Sequence, residues 1–166
     1  MPINEWMTSA LTAQDWFGWA GQLAMLGWFV LVFMPRRFKT LFFVAQYLIP
    51  LALSLMYSGI VLSHFFTSEG GYGSLAQVRR LFSNDFMLLA GWVDYLAFDL
   101  FVAAWIAVKA DEIRLPRLLQ APILVATFLF GPLGLALFLL TKHLFLNTTL
   151  PPSMKWASDG SSQKHV

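Results

Sequence analysis

The chain has 166 residues, of which 58% are apolar and only 12% are charged, and its formal net charge is +2. A soluble domain of this length carries about twice that charged fraction, so the composition indicates an integral membrane protein. The cations lie in short, separate groups, which excludes a nucleic-acid-binding surface. The absence of cysteine from the sequence excludes disulfides, thiolate nucleophiles and cysteine-ligated metals.

Four apolar runs are long enough to cross a bilayer, whose core of roughly 30 Å needs about 20 helical residues. They cover residues 16–34, 40–66, 86–108 and 122–146. Only helices and closed barrels satisfy the backbone in lipid, and runs of this length favour helices. The sequence therefore predicts an all-α polytopic membrane protein, in which residues 1–150 form one bundle of four transmembrane helices. Residues 151–166 are expected to be a disordered tail.

Two loops are rich in basic residues and predict the orientation of the chain. The loop after the first run contains Arg36, Arg37 and Lys39, and the loop after the third contains Lys109, Arg114 and Arg117. These loops are expected in the cytoplasm, with both termini on the other face. The first residues resemble neither a signal peptide nor a transit peptide. We therefore expect a multi-pass protein of a bacterial inner membrane.

Proline and glycine mark positions where the predicted helices bend or approach each other. Pro50 and Pro132 lie inside the second and fourth runs, where each removes a backbone hydrogen bond and bends its helix. Such a bend serves either packing or the opening of a cavity. The glycines that suit close helix approach are Gly18, Gly21 and Gly27 in the first run, and Gly131 and Gly134 in the fourth.

The second loop, residues 67–85, contains the segment "LAQVRRLF" at residues 75–82. Its apolar residues fall on one side of a helix, which predicts an interfacial helix that carries Arg79 and Arg80. Ser83 is the expected N-cap of the third predicted span, and Asp85 suits the first turn of that helix.

Two carboxylates, Asp94 and Asp99, lie near the middle of the third run. An ionisable group at the bilayer centre costs roughly 2.5 to 3.5 kcal/mol, and such groups are functional by default. Five residues correspond to about 140° around a helix, so these two aspartates do not share one face. The functional interpretation is an acid/base pair or a ligand anchor. The alternative is that they only hold helices together by hydrogen bonds.

Several residues could complete a site around these carboxylates. Trp92 and Tyr95 share the face of Asp99, which predicts an aromatic-walled pocket in which Tyr95 hydrogen-bonds the carboxyl group. Further candidates for substrate binding are His64, Arg79 and Arg80, which the predicted topology places on one side of the membrane. A lone histidine at a membrane edge is more often structural. The second run offers a broken stripe of polar partners: Gln46, Tyr47, Ser54, Tyr57, Ser58 and His64.

The sequence favours neither a metal nor a cofactor. It lacks the HExxH and GxSxG motifs and a phosphate-binding glycine loop. Its three histidines, one of them His165 in the tail, leave few ligands for a metal ion. We therefore expect no metal site and no cofactor.

The segments "LAQVRRLFSNDFMLLAGWVDYLAFDLFVAAWI" and "FLFGPLGLALFLLTK" resemble the abscisic acid-deficient 4-like family. Its plant members are plastid membrane proteins required to make neoxanthin from violaxanthin. Asp94 departs from the pattern, because the family usually has histidine there. The positions that match are Phe82, Ser83, Asp85, Trp92, Asp99, Leu100, Phe101, Pro132 and Gly134.

The resemblance implies a cofactor-free isomerase of a carotenoid or another isoprenoid, in which Asp99 and Asp94 are the catalytic residues. One group would protonate the epoxide oxygen while the other removes a proton from the polyene, and either aspartate suits either role. Burial disfavours a charged carboxyl group, so a desolvated carboxyl can remain an acid at neutral pH.

Two other functions are open at this point. One is an accessory module that presents a carotenoid to another membrane enzyme. The other is a small transporter subunit that couples to protons or cations through Asp94 and Asp99. Four spans make only a small pathway, so a transporter would have to be a homo-oligomer. In every case the expected partners are membrane lipid and an apolar isoprenoid or a transported ion, with no nucleic acid.

Overall fold

The computed structural model describes residues 12–34 and 37–149, with the backbone alone at residues 147–149. The predicted tail at residues 151–166 and the predicted loop residue Arg36 lie outside the described residues. All regular structure in the described part is helical. In chain order the elements are α1 (Ala13–Phe33), α2 (Lys39–Phe43), a π-helix (Val44–Leu48), α3 (Ile49–His64), a 3-10 turn (Phe65–Thr67), α4 (Leu75–Leu81), α5 (Asp85–Glu112), α6 (Arg117–Phe130) and α7 (Pro132–Thr149).

Three continuous helical stretches are long and apolar enough to cross a membrane. They are Ala13–Phe33, Lys39–Thr67 and Asp85–Glu112, and they correspond to the first three predicted spans. Many of their large apolar side chains are exposed, such as Leu62 at 73% and Phe66 at 85%. A surface of this kind suits contact with lipid, and the protein is a membrane protein by composition and helix length.

The fourth predicted span, residues 122–146, is not one continuous helix. Helix α6 ends at Phe130, Gly131 has a φ of +32°, and Pro132 begins α7. Positive φ favours glycine, and a proline without its N–H suits a first helical turn, so this pair ends one helix and starts the next. The expectation that Pro132 only bends a span is therefore wrong. The described part of the chain has three candidate spans and two shorter apolar helices.

Helices α6 and α7 pack against each other directly after this turn and form a helical hairpin. A Cβ atom built on Gly134 would overlap the side chain and the backbone of Thr127. Thr127 is fully buried, and its hydroxyl donates a hydrogen bond to the carbonyl of Ile123 at 2.9 Å. Gly134 thus permits a close approach, as the sequence predicts, but the approach is between the two arms of this hairpin.

The chain divides into two compact units, Met1–Trp105 and Ile106–Val166. In the first unit, Gly27 of α1 lies against Leu100 of α5 and Ile49 of α3. A Cβ atom on Gly27 would lie 2.6 Å from Leu100 Cδ2 and 3.4 Å from Ile49 Cδ1. Gly18 and Gly21 have nothing within 4 Å of such an atom. Of these three glycines, only Gly27 mediates a close approach within the described chain.

Pro50 follows a change of helix type. Residues Val44–Leu48 form a π-helix, in which the N–H of Ile49 donates a hydrogen bond to the carbonyl of Val44. This is the i to i+5 pattern, which adds one residue to a helical turn. Pro50 then lies in the first turn of α3. The proline therefore coincides with a π-helix inside an otherwise continuous helical stretch from Lys39 to Thr67.

The second loop contains the predicted short helix, α4, but the cap of α5 differs from the prediction. The side chain of Asn84 accepts hydrogen bonds from the N–H groups of Phe86 at 3.0 Å and Met87 at 3.3 Å. Ser83 instead donates a hydrogen bond from its hydroxyl to the carbonyl of Arg80 at 2.6 Å. Asn84 is therefore the N-cap of α5, and the assignment of Ser83 to this role is wrong.

Candidate functional site

Asp99 is a buried carboxylic acid in the middle of α5, only 9% exposed. Its Oδ2 atom is inaccessible to solvent and has no hydrogen-bond partner among the residues that the structure describes. The side chain of Tyr95, one helical turn earlier, hydrogen-bonds Asp99. This contact has the i, i+4 spacing that brings side chains together on a helix. One oxygen of Asp99 is thus left for a further hydrogen bond or a proton.

Aromatic rings continue this arrangement along α5 and onto α1. The ring centroids of Trp92 and Tyr95 are 5.7 Å apart, and those of Trp92 and Phe17 are also 5.7 Å apart. From Trp92 to Asp99 is two helical turns, or about 10.5 Å along the axis. We call Phe17, Trp92, Tyr95 and Asp99 the aromatic row. The sequence predicts Trp92 and Tyr95 beside Asp99, whereas Phe17 was not predicted, because it comes from another helix.

A cavity of about 540 Å³ lies between the first turns of α1 and α5, next to the aromatic row. Phe17, Leu88, Leu89 and Trp92 supply its apolar lining. Its polar residues are Thr12, Gln14 and Asp85, and Ala13 completes the lining. The volume is within the range of about 300–1,000 Å³ that is typical of small-molecule sites.

The helix start beside this cavity is fixed by a capping box. The N–H of Asp15 donates a hydrogen bond to Oγ1 of Thr12 at 3.3 Å, and the N–H of Thr12 donates one to Oδ2 of Asp15 at 2.8 Å. Such a reciprocal pair satisfies two N–H groups that the helix itself leaves unpaired. The first turn of α1, which holds Phe17 against Trp92, is therefore well defined.

Asp94 lies on a different side of α5 from Asp99. The two aspartates are separated by about 7.5 Å along the axis and about 140° around it. Asp94 is half-buried and lines a smaller cavity of about 250 Å³ together with Tyr57 of α3 and Tyr72 of the second loop. The structure therefore does not bring the two candidate catalytic residues into one cavity. Tyr72 was not predicted, because nothing in a loop sequence indicates where the loop packs.

His64 belongs to a third location. Its Nδ1 atom lies 3.1 Å from the carbonyl oxygen of Ile60, and its ring stacks on Phe86 with centroids 4.2 Å apart. It lines a cavity of about 340 Å³ that also includes Trp16 and Ser63. These contacts are those of a histidine with a structural role.

Arg79 and Arg80 are exposed on α4 and line none of the cavities at Trp92, Asp94 and His64. Of the seven candidate site residues, the structure thus groups Trp92, Tyr95 and Asp99. Within residues 12–34 and 37–149, no group of three or more His, Cys, Asp or Glu side chains could hold a metal ion.

Comparison with known sequences identifies a family. The family model described as ABA DEFICIENT 4-like matches residues 15–138. This range contains the aromatic row, the Asp94 cavity and the turn between α6 and α7. No curated protein and no solved structure matches the chain significantly.

Proposed function

Since the chain belongs to the ABA DEFICIENT 4-like family, we propose that it binds a carotenoid or a related isoprenoid in the bilayer and isomerises it without a cofactor. The observation that carries this proposal is the Oδ2 atom of Asp99, which is buried without a partner among the described residues. A buried polar atom without a partner is costly. A ligand that brings a hydrogen-bonding or proton-exchanging group to Asp99 would offset that cost.

The pair of Asp99 and Tyr95 suits the transfer of one proton within a substrate. Conversion of an epoxide next to a polyene into an allenic alcohol breaks one C–H bond and one epoxide C–O bond. The electrons of the C–H bond form the new double bond, those of the C–O bond remain on oxygen, and an O–H bond forms. The reaction is an isomerisation, so it needs no oxidant, reductant or second substrate.

In this proposal the hydrogen bond that Tyr95 donates stabilises the ionised form of Asp99 against the cost of burial. Oδ2 of Asp99 removes the proton from carbon, and the phenol of Tyr95 donates its proton to the epoxide oxygen. Rotation of the protonated carboxyl group then brings the Oδ2–H group to the phenolate of Tyr95, and transfer of this proton returns both groups to their starting states. General acid–base catalysis of this kind contributes about 10²- to 10⁴-fold to a rate. The sequence alone pairs Asp94 with Asp99 as acid and base. Here Tyr95 replaces Asp94 in that pair, because Tyr95 contacts Asp99 and Asp94 lies on another side of α5.

The rest of the aromatic row would hold the substrate. Flat conjugated chains pack well against aromatic rings, which prefer offset or tilted arrangements. Phe17 and Trp92 present such rings beside the cavity of about 540 Å³, and Trp92 is 42% exposed. The polyene would lie against these rings, with its oxygen-bearing end towards Tyr95 and Asp99.

The test is a pigment analysis of a host that makes epoxycarotenoids and expresses the full chain. The variants are Asp99→Asn and Tyr95→Phe, and the matched control is Glu112→Gln, whose side chain is 53% exposed in a surface pair with Lys109. The wild type and the control are expected to form a new isomer. Each site variant should form at least about 100-fold less, at an unchanged protein level in the membrane. Equal product from all four proteins would refute the proposal.

Other outcomes identify the other functions. An unmodified carotenoid that co-purifies with the wild type, without a new isomer, would support an accessory binding module. Uptake into vesicles that depends on a pH or sodium gradient would support a transporter subunit, which we expect to be a homo-oligomer. A bacterial inner membrane stays a prediction, and membrane fractionation of the native host would test it.

A further inference from the structure

The cavity around Asp94 is lined by polar residues that take no part in the proposed proton transfer. Three oxygen-bearing side chains line it: Tyr57 from α3, Tyr72 from the second loop and Asp94 from α5. They line this space without hydrogen-bonding one another among the described residues. Its other walls are apolar: Val61, Phe82, Met87, Ala90 and Gly91. Three separate elements thus contribute oxygen-bearing side chains to the lining of one cavity.

The size and the charges of this cavity restrict what it can hold. An apolar cavity of about 150 Å³ accepts benzene, so about 250 Å³ accommodates a six-membered ring with several methyl groups but no long chain. A carboxylate only accepts hydrogen bonds, and a phenol donates or accepts them. None of the lining residues is cationic, so an anionic group would find no partner. Asp94 lies about 13.5 Å along α5 from Asp85, which is deeper than a charged lipid headgroup.

A further, open cavity lies beside both the Asp94 cavity and the aromatic row. It measures about 320 Å³ and is lined by Phe82, Leu88, Gly91 and Trp92. It shares Phe82 and Gly91 with the Asp94 cavity, and it shares Leu88 and Trp92 with the cavity of about 540 Å³. The three cavities are therefore neighbours along the first half of α5.

Gly91 and Phe82 line two of these cavities, and they lie close to each other. A Cβ atom on Gly91 would lie 2.8 Å from Cε1 of Phe82. The Phe82 ring can approach α5 this closely only because residue 91 has no side chain. A larger residue there would displace the Phe82 ring.

We propose that Asp94, Tyr57 and Tyr72 bind a hydroxyl group on the terminal ring of the isoprenoid ligand, whose chain then passes Gly91 towards Trp92. This inference rests on the proposed function, because the same ligand would reach Asp99 along the aromatic row. It gives the two aspartates different roles. Asp94 holds one end of the ligand in register, whereas Asp99 exchanges a proton with it.

The test measures whether the protein selects for the hydroxyl group. The purified full chain, immobilised in detergent, is incubated with equal amounts of β-carotene and zeaxanthin, which differ only by a hydroxyl group on each ring. The bound pigments are then separated by chromatography. The variants are Tyr57→Phe, Tyr72→Phe and Asp94→Ala. The matched control is Tyr47→Phe, because Tyr47 is 49% exposed and lies outside the Asp94 cavity.

The wild type and the control are expected to prefer zeaxanthin by about tenfold, and each cavity variant should lose about three- to tenfold of that preference. Bound β-carotene should stay unchanged. A wild-type preference retained in all three variants would overturn the inference, as would an equal loss of both pigments or no binding by the wild type. Zeaxanthin has no epoxide, so this measurement is independent of catalysis. A variant-sensitive preference without any isomer from epoxycarotenoids would leave this site standing and refute the proposed reaction.

Discussion

Replacement of Gly134 by alanine is expected to destabilise the hairpin of α6 and α7. The added methyl group would overlap three atoms of Thr127: Oγ1, Cα and the backbone nitrogen. A side chain could rotate away from such an overlap, but two of these atoms belong to the backbone of a fully buried residue. Relief therefore requires one arm of the hairpin to move away from the other.

The magnitude follows from two opposing terms. Overpacking costs about 1–3 kcal/mol, and the backbone overlap at Thr127 places this case at the upper end of that range. A glycine-to-alanine change inside a helix returns up to about 1 kcal/mol. The net loss in the free energy of unfolding is therefore about 2 kcal/mol. At about 2–4 °C per kcal/mol for a chain of this length, Tm should fall by about 4–8 °C.

The assay is thermal unfolding of the purified full chain in detergent, followed by tryptophan fluorescence. Gly59→Ala is the matched control, because a Cβ atom on Gly59 has nothing within 4 Å. The only effect of this control substitution should be a gain in helix propensity. Its Tm should therefore equal that of the wild type or rise by about 2–4 °C. A Gly134→Ala protein that melts at or above the wild-type temperature would show that α6 and α7 do not pack as described.

Two further predictions concern the same helices and the start of α5. The sequence has no cysteine, so Glu112→Cys and Lys142→Cys can each be labelled alone, and an impermeant thiol reagent should reach both from the same side of the membrane. Labelling from opposite sides would support one continuous fourth span. Asn84→Ala should lower the free energy of unfolding by about 1 kcal/mol through loss of the N-cap, as measured by the shift in Tm. Ser83→Ala should change it less, and the reverse order would contradict the cap assignment.

The sequence alone predicts the three long helices, because the hydropathy of about 20 consecutive residues can be read directly from it. It is insufficient at "FGPLG", residues 130–134, where a proline and two glycines are compatible with a bend in one span or with a turn between two helices. Hydropathy does not distinguish these cases, because both arms of a hairpin are as apolar as one span. The difference depends on the contact between Gly134 and Thr127, which only the folded chain shows.

The candidate site likewise has one part that the sequence predicts and one part that it does not. The contact of Tyr95 with Asp99 follows from i, i+4 spacing within one helix, so the sequence predicts it. The grouping of Tyr57, Tyr72 and Asp94 joins three elements far apart in sequence, and helical periodicity carries no information about it. The cap of α5 was ambiguous because serine and asparagine are both good N-cap residues and here they are adjacent.

The π-helix at Val44–Leu48 makes the lining of the Asp94 cavity tolerant of a one-residue change in chain length. A π-helix accommodates one residue more than an α-helix would, so an evolutionary deletion of a single residue there would convert it to a regular α-helix. Five residues of a π-helix and four residues of an α-helix both make about one turn, so the helix after the deletion would keep its orientation relative to the helix before it. Tyr57 follows this segment, and Pro50 marks its end. A relative that lacks one residue between Phe43 and Ile49 would therefore present the same side of α3 to this cavity and would keep the position of Tyr57 in its lining.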